Sequence, residues 1–254
     1  MTDAGAARLR VAIVDDEDLA RAVVREHLTA VADVDVVAEC SNGFEAVKAV
    51  SELRPDLLIL DVQMPKLNGF EVLELVGRDV AVVFVTAYDQ YALRAFEVHA
   101  VDYLLKPFSV ERLAAAIDRV RERLGRGERG PVHDLAAAAR PAEEPIRRIL
   151  VRDGSRVHVI PLEKIDSVQA QDDYISLRCE GKDYLKEQTL GQLETSLDPA
   201  RFVRIHRSFL LNLERLVRVE LDERGNRIAI LTDGRRLPVS RAGYARLNAL
   251  LGEN

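Results

Sequence analysis

The sequence is poor in features that would place it in a membrane or an oxidising compartment. No apolar stretch is long enough to cross a bilayer. The opening residues, Met1-Thr2-Asp3-Ala4-Gly5, lack the basic and apolar regions of a signal peptide. Cysteine is almost absent: Cys40 and Cys179 fall in different halves of a 254-residue chain. Two isolated cysteines read as buried or half-buried thiols rather than a disulfide, which suits a reducing cytoplasm. No cluster of His and Cys has zinc-ligand spacing. What remains is 48% hydrophobic and 31% charged, a soluble composition with length enough for two ordinary domains.

The net charge of −6 is unevenly spread. Residues 1–144 carry 17 Lys+Arg against 26 Asp+Glu, and residues 145–254 carry 19 against 16, so balances of −9 and +3 adjoin. An acidic half joined to a mildly basic one points to a polyanion partner for the second half alone. Between them, 125–144 holds Gly125-Arg126-Gly127, Gly130-Pro131, an alanine run and Pro141, without apolar periodicity. That composition reads as a linker. The expected domains are therefore 8–124 and 145–252.

In the first half, strand-like apolar runs alternate with helical patterns. Runs at 11–14, 34–38, 57–60, 80–85 and 101–105 read as strands buried on both faces. Between them Leu19, Val23, Leu28 and Val31 fit one helical face, as do Phe44, Val47, Val50 and Leu53. Phe70, Leu73 and Val76 mark a third helix, 91–98 a fourth, and Val110 to Leu124 a fifth capped by Ser109. Five β-α units in a row predict a doubly wound parallel sheet with ligands at the C-terminal strand ends.

Four of those strands end on polar groups. Asp15-Asp16 follows the first, Asp61 the third, Thr86 the fourth and Lys106-Pro107 the fifth. Any one Asp at a strand end is usually a cap or turn former; the conjunction is what carries information. Asp15, Asp16 and Asp61, with the backbone carbonyl of Gln63, make an oxygen-only set suited to Mg²⁺. A dication there frees Asp61 to attack phosphorus as a nucleophile. Lys106 can then pair with one oxygen of the resulting acyl phosphate, and the Thr86 hydroxyl can donate to another.

Residues 8–124 resemble the receiver domain of two-component response regulators. The resemblance rests on Asp15-Asp16, Asp61 with the Met64-Pro65 turn, Thr86-Ala87, and Asp102-Tyr103-Leu104-Leu105-Lys106-Pro107-Phe108. It implies a flavodoxin-like (βα)5 fold, phosphotransfer from a sensor histidine kinase to Asp61, and a cis Lys106-Pro107 bond. A switch follows from the same layout. Phosphate draws the Thr86 hydroxyl, Tyr103 turns into the vacated space, and the face around the 91–98 helix, the fifth strand and the last helix changes. Two molecules then pair through it, as a population shift between pre-existing packings.

The second half changes period. Short strands are expected at 146–152, 157–160, 165–170, 174–179, 216–221, 227–231 and 235–239, with helices near 188–197 and 240–251. In Phe202-Val203-Arg204-Ile205-His206-Arg207-Ser208-Phe209-Leu210-Leu211-Asn212, polar residues alternate with apolar ones and then meet a bend. Arg, His and Ser exposed together suit phosphate and base-edge contacts; a charged hairpin is the plain alternative. This segment, with Ser167-Val168-Gln169-Ala170, Asp173-Tyr174 and Leu237-Pro238-Val239-Ser240-Arg241, resembles the LytTR DNA-binding domain. The resemblance implies a mostly antiparallel β module with short helices that reads double-stranded DNA. Contacts are expected from Gln171 and Asp172, from Arg204, His206, Arg207 and Ser208, and from Arg241.

The whole then reads as a cytoplasmic transcription regulator with no membrane partner. It pairs into a homodimer on phosphorylation and binds promoter DNA, and it is not an enzyme. Two rivals are a phosphohydrolase and a protein- or RNA-binding module. The first usually needs an acid two positions past the nucleophile, where this chain has Gln63.

Overall fold

A computed structural model of the protein describes residues 8–77, 80–88, 100–126 and 146–252. The chain divides into two compact units, Met1–Pro141 with Arg152–Val157, and Ala142–Val151 with His158–Asn254. Residues 127–145, nearly all of the expected linker, lie outside the described residues, as does the helix expected over 91–98.

The first unit runs β1 (Leu9–Val14), α1 (Asp18–Thr29), β2 (Val34–Cys40), α2 (Gly43–Leu53), β3 (Leu57–Leu60) and α3 (Gly69–Val76). It continues with β4 (Ala81–Thr86), β5 (Asp102–Leu105) and α4 (Val110–Gly125). The five strands are parallel, in the order β2-β1-β3-β4-β5. This is the doubly wound, flavodoxin-like sheet the alternating pattern predicts. One sheet face gives Val11, Ile13, Leu57, Ile59, Val83 and Val85 to a core closed by Val24 and Leu28 of α1 and Leu113, Ile117 and Val120 of α4. Alternate residues Ala12, Leu58, Leu60, Val82 and Phe84 are also buried, so every central strand is apolar on both faces.

α1 departs from expectation. Leu28 is buried and Val31 packs against the core as expected, but Leu19 is 76% exposed and Val23 is exposed too. The helix begins at Asp18, and in its first half Val24 rather than Val23 turns to the core shared with α4.

The second unit contains β6 (Arg148–Asp153) and β7 (Arg156–Pro161), apart from Arg152–Val157, and then β8 (Ile165–Gln171), β9 (Tyr174–Cys179), β10 (Lys182–Glu187) and α5 (Leu190–Ser196). Then come β11 (Phe202–His206), β12 (Phe209–Asn212), β13 (Leu216–Leu221), β14 (Arg227–Leu231), β15 (Arg236–Val239) and α6 (Arg241–Leu251). A five-stranded sheet orders β10-β9-β8-β12-β11 and a three-stranded one β13-β14-β15, with antiparallel neighbours in both. One core joins Leu162, Val168, Ile175, Leu177, Leu193 and Leu210, and a second joins Val203, Ile205, Leu211, Leu231, Leu237 and Leu247.

β10 was not expected as a strand. Its polarity is inverted: Leu185 is 55% exposed while Lys186 is buried, its Nζ donating to the Leu150 carbonyl at 2.9 Å. A buried ammonium satisfied by a backbone carbonyl breaks the alternation that would reveal the strand. Both cysteines are free and buried. Among the described residues no helix is long and apolar enough to cross a membrane.

Candidate functional site

Backbone pairing assembles the first site. The Asp61 amide donates to the Val14 carbonyl at 2.9 Å, and the Asp15 amide to the Cys40 carbonyl at 3.1 Å. The Lys106 amide donates to the Thr86 carbonyl at 2.8 Å. The parallel ladder thus runs one residue past each strand, and every polar terminus lies at one rim. The loop after Asp61 is held down by α3. A Cβ on Gly69 would stand 2.4 Å from the Asp61 carbonyl oxygen, so only glycine permits the helix to start there. The Asn68–Glu71 capping box fixes that start.

Asp15, Asp16 and Asp61 each offer a carboxylate oxygen, and these oxygens lie within 4.8 Å of one another. Lys106 Nζ stands 2.6 Å from Asp15 Oδ2 and 3.8 Å from Asp61 Oδ2. Asp61 Oδ1 accepts from the Val62 amide at 2.8 Å. Burial pushes the Asp61 carboxyl above its ordinary pKa and the charge of Asp15 adds to this; Lys106 is the main opposing influence and does not cancel it. One ammonium therefore faces three carboxylates. At an effective dielectric near 20, two like charges about 4 Å apart repel by about 4 kcal/mol. An all-oxygen set with uncompensated negative charge fits a hard dication such as Mg²⁺. Gln63 is exposed, two residues beyond Asp61.

Thr86 is fully buried, and among the described residues its hydroxyl has no partner within hydrogen-bond range. It lies near enough to Asp61 to favour that carboxylate's charged form all the same. Tyr103 is half-buried and donates its hydroxyl to the Tyr88 carbonyl. The Lys106-Pro107 bond is cis.

Two further sets of contacts follow no local pattern in the sequence, one at this rim and one at the start of β5. Arg21 donates through Nη1 to the Asp15 carbonyl at 2.6 Å, bracing the acidic turn. Beside Tyr103, Asp102 receives Arg112 through two bonds of 2.6 and 2.7 Å and also pairs with Arg119. Burial raises the Asp102 pKa, but the Arg112 hydrogen bonds outweigh it and the net shift is downward. The partners stand 10 and 17 residues away on α4, a spacing that no local pattern announces.

In the second unit three short segments gather. β8 and β9 join through a tight turn at Asp172-Asp173, with Asp172 at φ 49° and Gln171, Asp172 and Asp173 exposed. β11 and β12 join at Arg207-Ser208. The Ala170 amide donates to the Ser208 carbonyl at 2.9 Å, which ties these two turns together. Ser240, the N-cap of α6, donates from its amide and its Oγ to the Ile205 carbonyl at 2.9 and 3.1 Å. That bond brings Arg241 beside the bend. A Cβ on Gly243 would lie 1.9 Å from the same carbonyl oxygen, so α6 can dock this closely only with glycine there.

Within that cluster the side chains divide. Arg207 and Arg241 are exposed, and neither guanidinium has a partner among the described residues. Arg204 is half-buried and committed: Nε donates to the His206 carbonyl at 3.0 Å, Nη2 to the Arg207 carbonyl at 2.5 Å, and Nη1 pairs with Glu194 at 2.8 Å. His206 Nδ1 accepts from the Ser208 amide at 3.2 Å, which leaves Nε2 as the N–H side of a neutral ring. Arg204 and His206 thus shape the bend that presents Arg207 and Ser208.

Residues 11–118 match the response regulator receiver domain family, and residues 155–252 match the LytTr DNA-binding domain family. An uncharacterized response regulatory protein of Yersinia pestis is 36% identical over 250 residues, covering 96% of this chain and 99% of the relative. The transcriptional regulatory protein BtsR of Escherichia coli is 34% identical over 247 residues, again 96% of this chain and 99% of the relative. Among solved structures, the receiver domain of AraT from Geobacillus stearothermophilus is 31% identical, covering 47% of this chain and 97% of that one, with a TM-score of 0.43. The LytTr domain of a methyl-accepting/DNA response regulator from Bacillus cereus is 22% identical, covering 42% and 98%, with a TM-score of 0.39. The relatives run nearly end to end with this sequence, and the chain belongs to the LytTR family of two-component response regulators, DNA-binding transcription regulators that join a receiver domain to a LytTR domain.

Proposed function

We propose that Asp61 is the phospho-acceptor of a receiver spanning 8–124, and that its modification controls DNA binding by a LytTR domain spanning 145–252, with 125–144 as linker. The carrying observation is the convergence of Asp61, Lys106 and an unpartnered Thr86 hydroxyl on one acidic rim. Asp61 Oδ1 is engaged by the Val62 amide, which leaves Oδ2 to attack phosphorus. The P–N bond to the kinase histidine breaks, the imidazole nitrogen leaves with the electron pair, and Asp61 carries the phosphoryl group. Asp15, Asp16, Asp61 and the Gln63 carbonyl would hold a Mg²⁺ ion, which when bound would supply the charge that offsets phosphate against carboxylate. Lys106 pairs with one phosphoryl oxygen and Thr86 donates to another. Tyr103 leaves the Tyr88 carbonyl and turns inward, and the altered face pairs two chains in the cytoplasm.

Paired LytTR domains then meet adjacent promoter half-sites at high effective concentration. Arg207 and Arg241 read base edges, each good bidentate contact worth about 1–3 kcal/mol of discrimination. Ser208 and the Gln171-Asp172 turn lie alongside, and Arg204 and His206 hold the bend in place. The chain acts as a switch and turns over no substrate of its own.

The test is a gel shift with promoter fragments and acetyl phosphate in Mg²⁺, run beside phosphate labelling. Wild type should label and shift DNA more strongly when labelled. Asp61→Asn should do neither; labelling that survives the substitution would move the acceptor elsewhere.

A further inference from the structure

Behind the Arg207 bend lies a cleft of about 640 Å³ lined by Glu194, Arg204, His206, Arg207, Ser240 and Arg246. Three guanidiniums and an imidazole face one carboxylate, and that carboxylate is taken by Arg204 at 2.8 Å. Arg246 projects from α6 and donates Nη1 to the Arg204 carbonyl at 2.9 Å, so its stem is fixed while its remaining donors stay open. It is exposed and forms no ion pair among the described residues. A fixed, uncompensated guanidinium at the mouth of a polar cleft is an anion site. Phosphodiester groups of DNA are the anions a protein brings to such a place beside its base-reading residues.

We infer that the cleft receives a backbone phosphate of the bound duplex and that Arg246 holds it, setting the register in which Arg207 and Arg241 meet the bases. This rests on the DNA-binding reading above and assigns a distinct role within it. Arg207 and Arg241 carry sequence information; Arg246 carries none. Its guanidinium supplies affinity through counterion release, which has a separate experimental signature.

The test measures binding of the full chain to two duplexes, one enriched from a random-sequence pool and one scrambled, across a salt series. Arg246→Ala should weaken binding to both by the same factor and leave their ratio unchanged. It should also flatten the log K against log salt slope by about 0.9, the contribution of one phosphate contact. Its deficit should therefore shrink roughly threefold between 50 and 200 mM salt. Arg207→Ala, in contrast, should lower the ratio. Arg246→Lys should keep the slope because the charge remains; a lysine variant as weak as alanine would show that the Arg204 carbonyl bond was the whole role, and would overturn the proposal. An unchanged slope in Arg246→Ala, or a loss confined to the enriched duplex, would overturn it too. Those results leave the DNA-binding reading intact, whereas wild-type protein that binds neither duplex defeats both. Inorganic phosphate titrated alone should give no saturable heat; saturation would assign the cleft to a free anion instead.

Discussion

Gly243→Ala should unseat α6 and with it the DNA-reading edge. The added Cβ would lie 1.9 Å from the Ile205 carbonyl oxygen, a backbone atom in the middle of the second core that cannot swing aside. Reaching 3.0 Å, the lower limit for such contacts, requires α6 and β11 to part by about 1 Å. The two Ser240 bonds to that carbonyl, 2.9 and 3.1 Å long, then exceed hydrogen-bond range. Losing two neutral bonds costs about 1 kcal/mol each, and overpacking a filled core adds about 1–3 kcal/mol. Helix propensity returns about 1 kcal/mol, for a net loss of about 2–4 kcal/mol. Gly191 is the control: it lies in α5 with no atom within 4 Å of a built Cβ and no positive φ, so Gly191→Ala should be neutral or stabilising by about 0.5 kcal/mol. The chain has no tryptophan, so chemical unfolding is followed by circular dichroism, on the transition that both substitutions touch. DNA binding under native conditions should fall in Gly243→Ala, because Arg241 moves with the helix. A Gly243→Ala protein within about 0.5 kcal/mol of wild type, with unchanged DNA affinity, would refute the docking argument.

Asp61→Asn should stabilise the first domain at neutral pH in metal-free buffer. The folded pKa of Asp61 is raised above the ordinary 3.8, so its contribution is fully present below 3.8 and is lost as pH rises through the raised value. The variant's advantage, measured by thermal unfolding, should shrink as pH falls through that window; a variant less stable than wild type at neutral pH would contradict the sign. Thr86→Val, which removes a buried hydroxyl that bonds to nothing, should stabilise the unphosphorylated domain by about 1 kcal/mol while leaving acetyl phosphate labelling in place and abolishing its effect on DNA binding; a destabilised variant would show that the hydroxyl already has a partner.

The first sheet was legible because its strands are buried on both faces. Continuous runs such as Leu57-Leu58-Ile59-Leu60 leave no ambiguity, and the first polar residue after each marks the rim. Asp15, Asp61, Thr86 and Lys106 could be placed together before any coordinate was known, since parallel strands share an end. Helix faces were less secure: the phase of α1 depends on α4, more than 80 residues away, and Leu19 turned outward. β10 was missed because Lys186 points in and Leu185 out. The Asp102–Arg112–Arg119 group and the Glu194–Arg204 pair were hidden for one common reason. Long cationic side chains reach partners chosen by tertiary packing, and sequence spacing says nothing about them. For the same reason a basic residue in the signature segment could not be assigned as reader or brace from its type. Arg204 and Arg207, three positions apart, differ in this way: Arg204 meets Glu194 and is committed, and Arg207 is exposed.

The unpartnered Thr86 hydroxyl gives the switch an energy scale. A buried donor without an acceptor costs about 1–3 kcal/mol, and the Thr86 hydroxyl has none within hydrogen-bond range among the described residues. On the proposed reading, a phosphoryl oxygen on Asp61 would supply the acceptor, and the modified state would recover the cost only in the arrangement that brings the hydroxyl forward. That differential shifts a two-state equilibrium by roughly 5- to 150-fold. Such a factor is ample for a module with a balance of only +3, in which Arg204 is paired internally and few cations are left for phosphates. On the proposed reading one such domain would grip DNA weakly and two linked domains would grip it well. The satisfied braces at Arg204 and Asp102 hold the scaffold still, and the Thr86 hydroxyl is where the proposed covalent change on Asp61 would act on the rest.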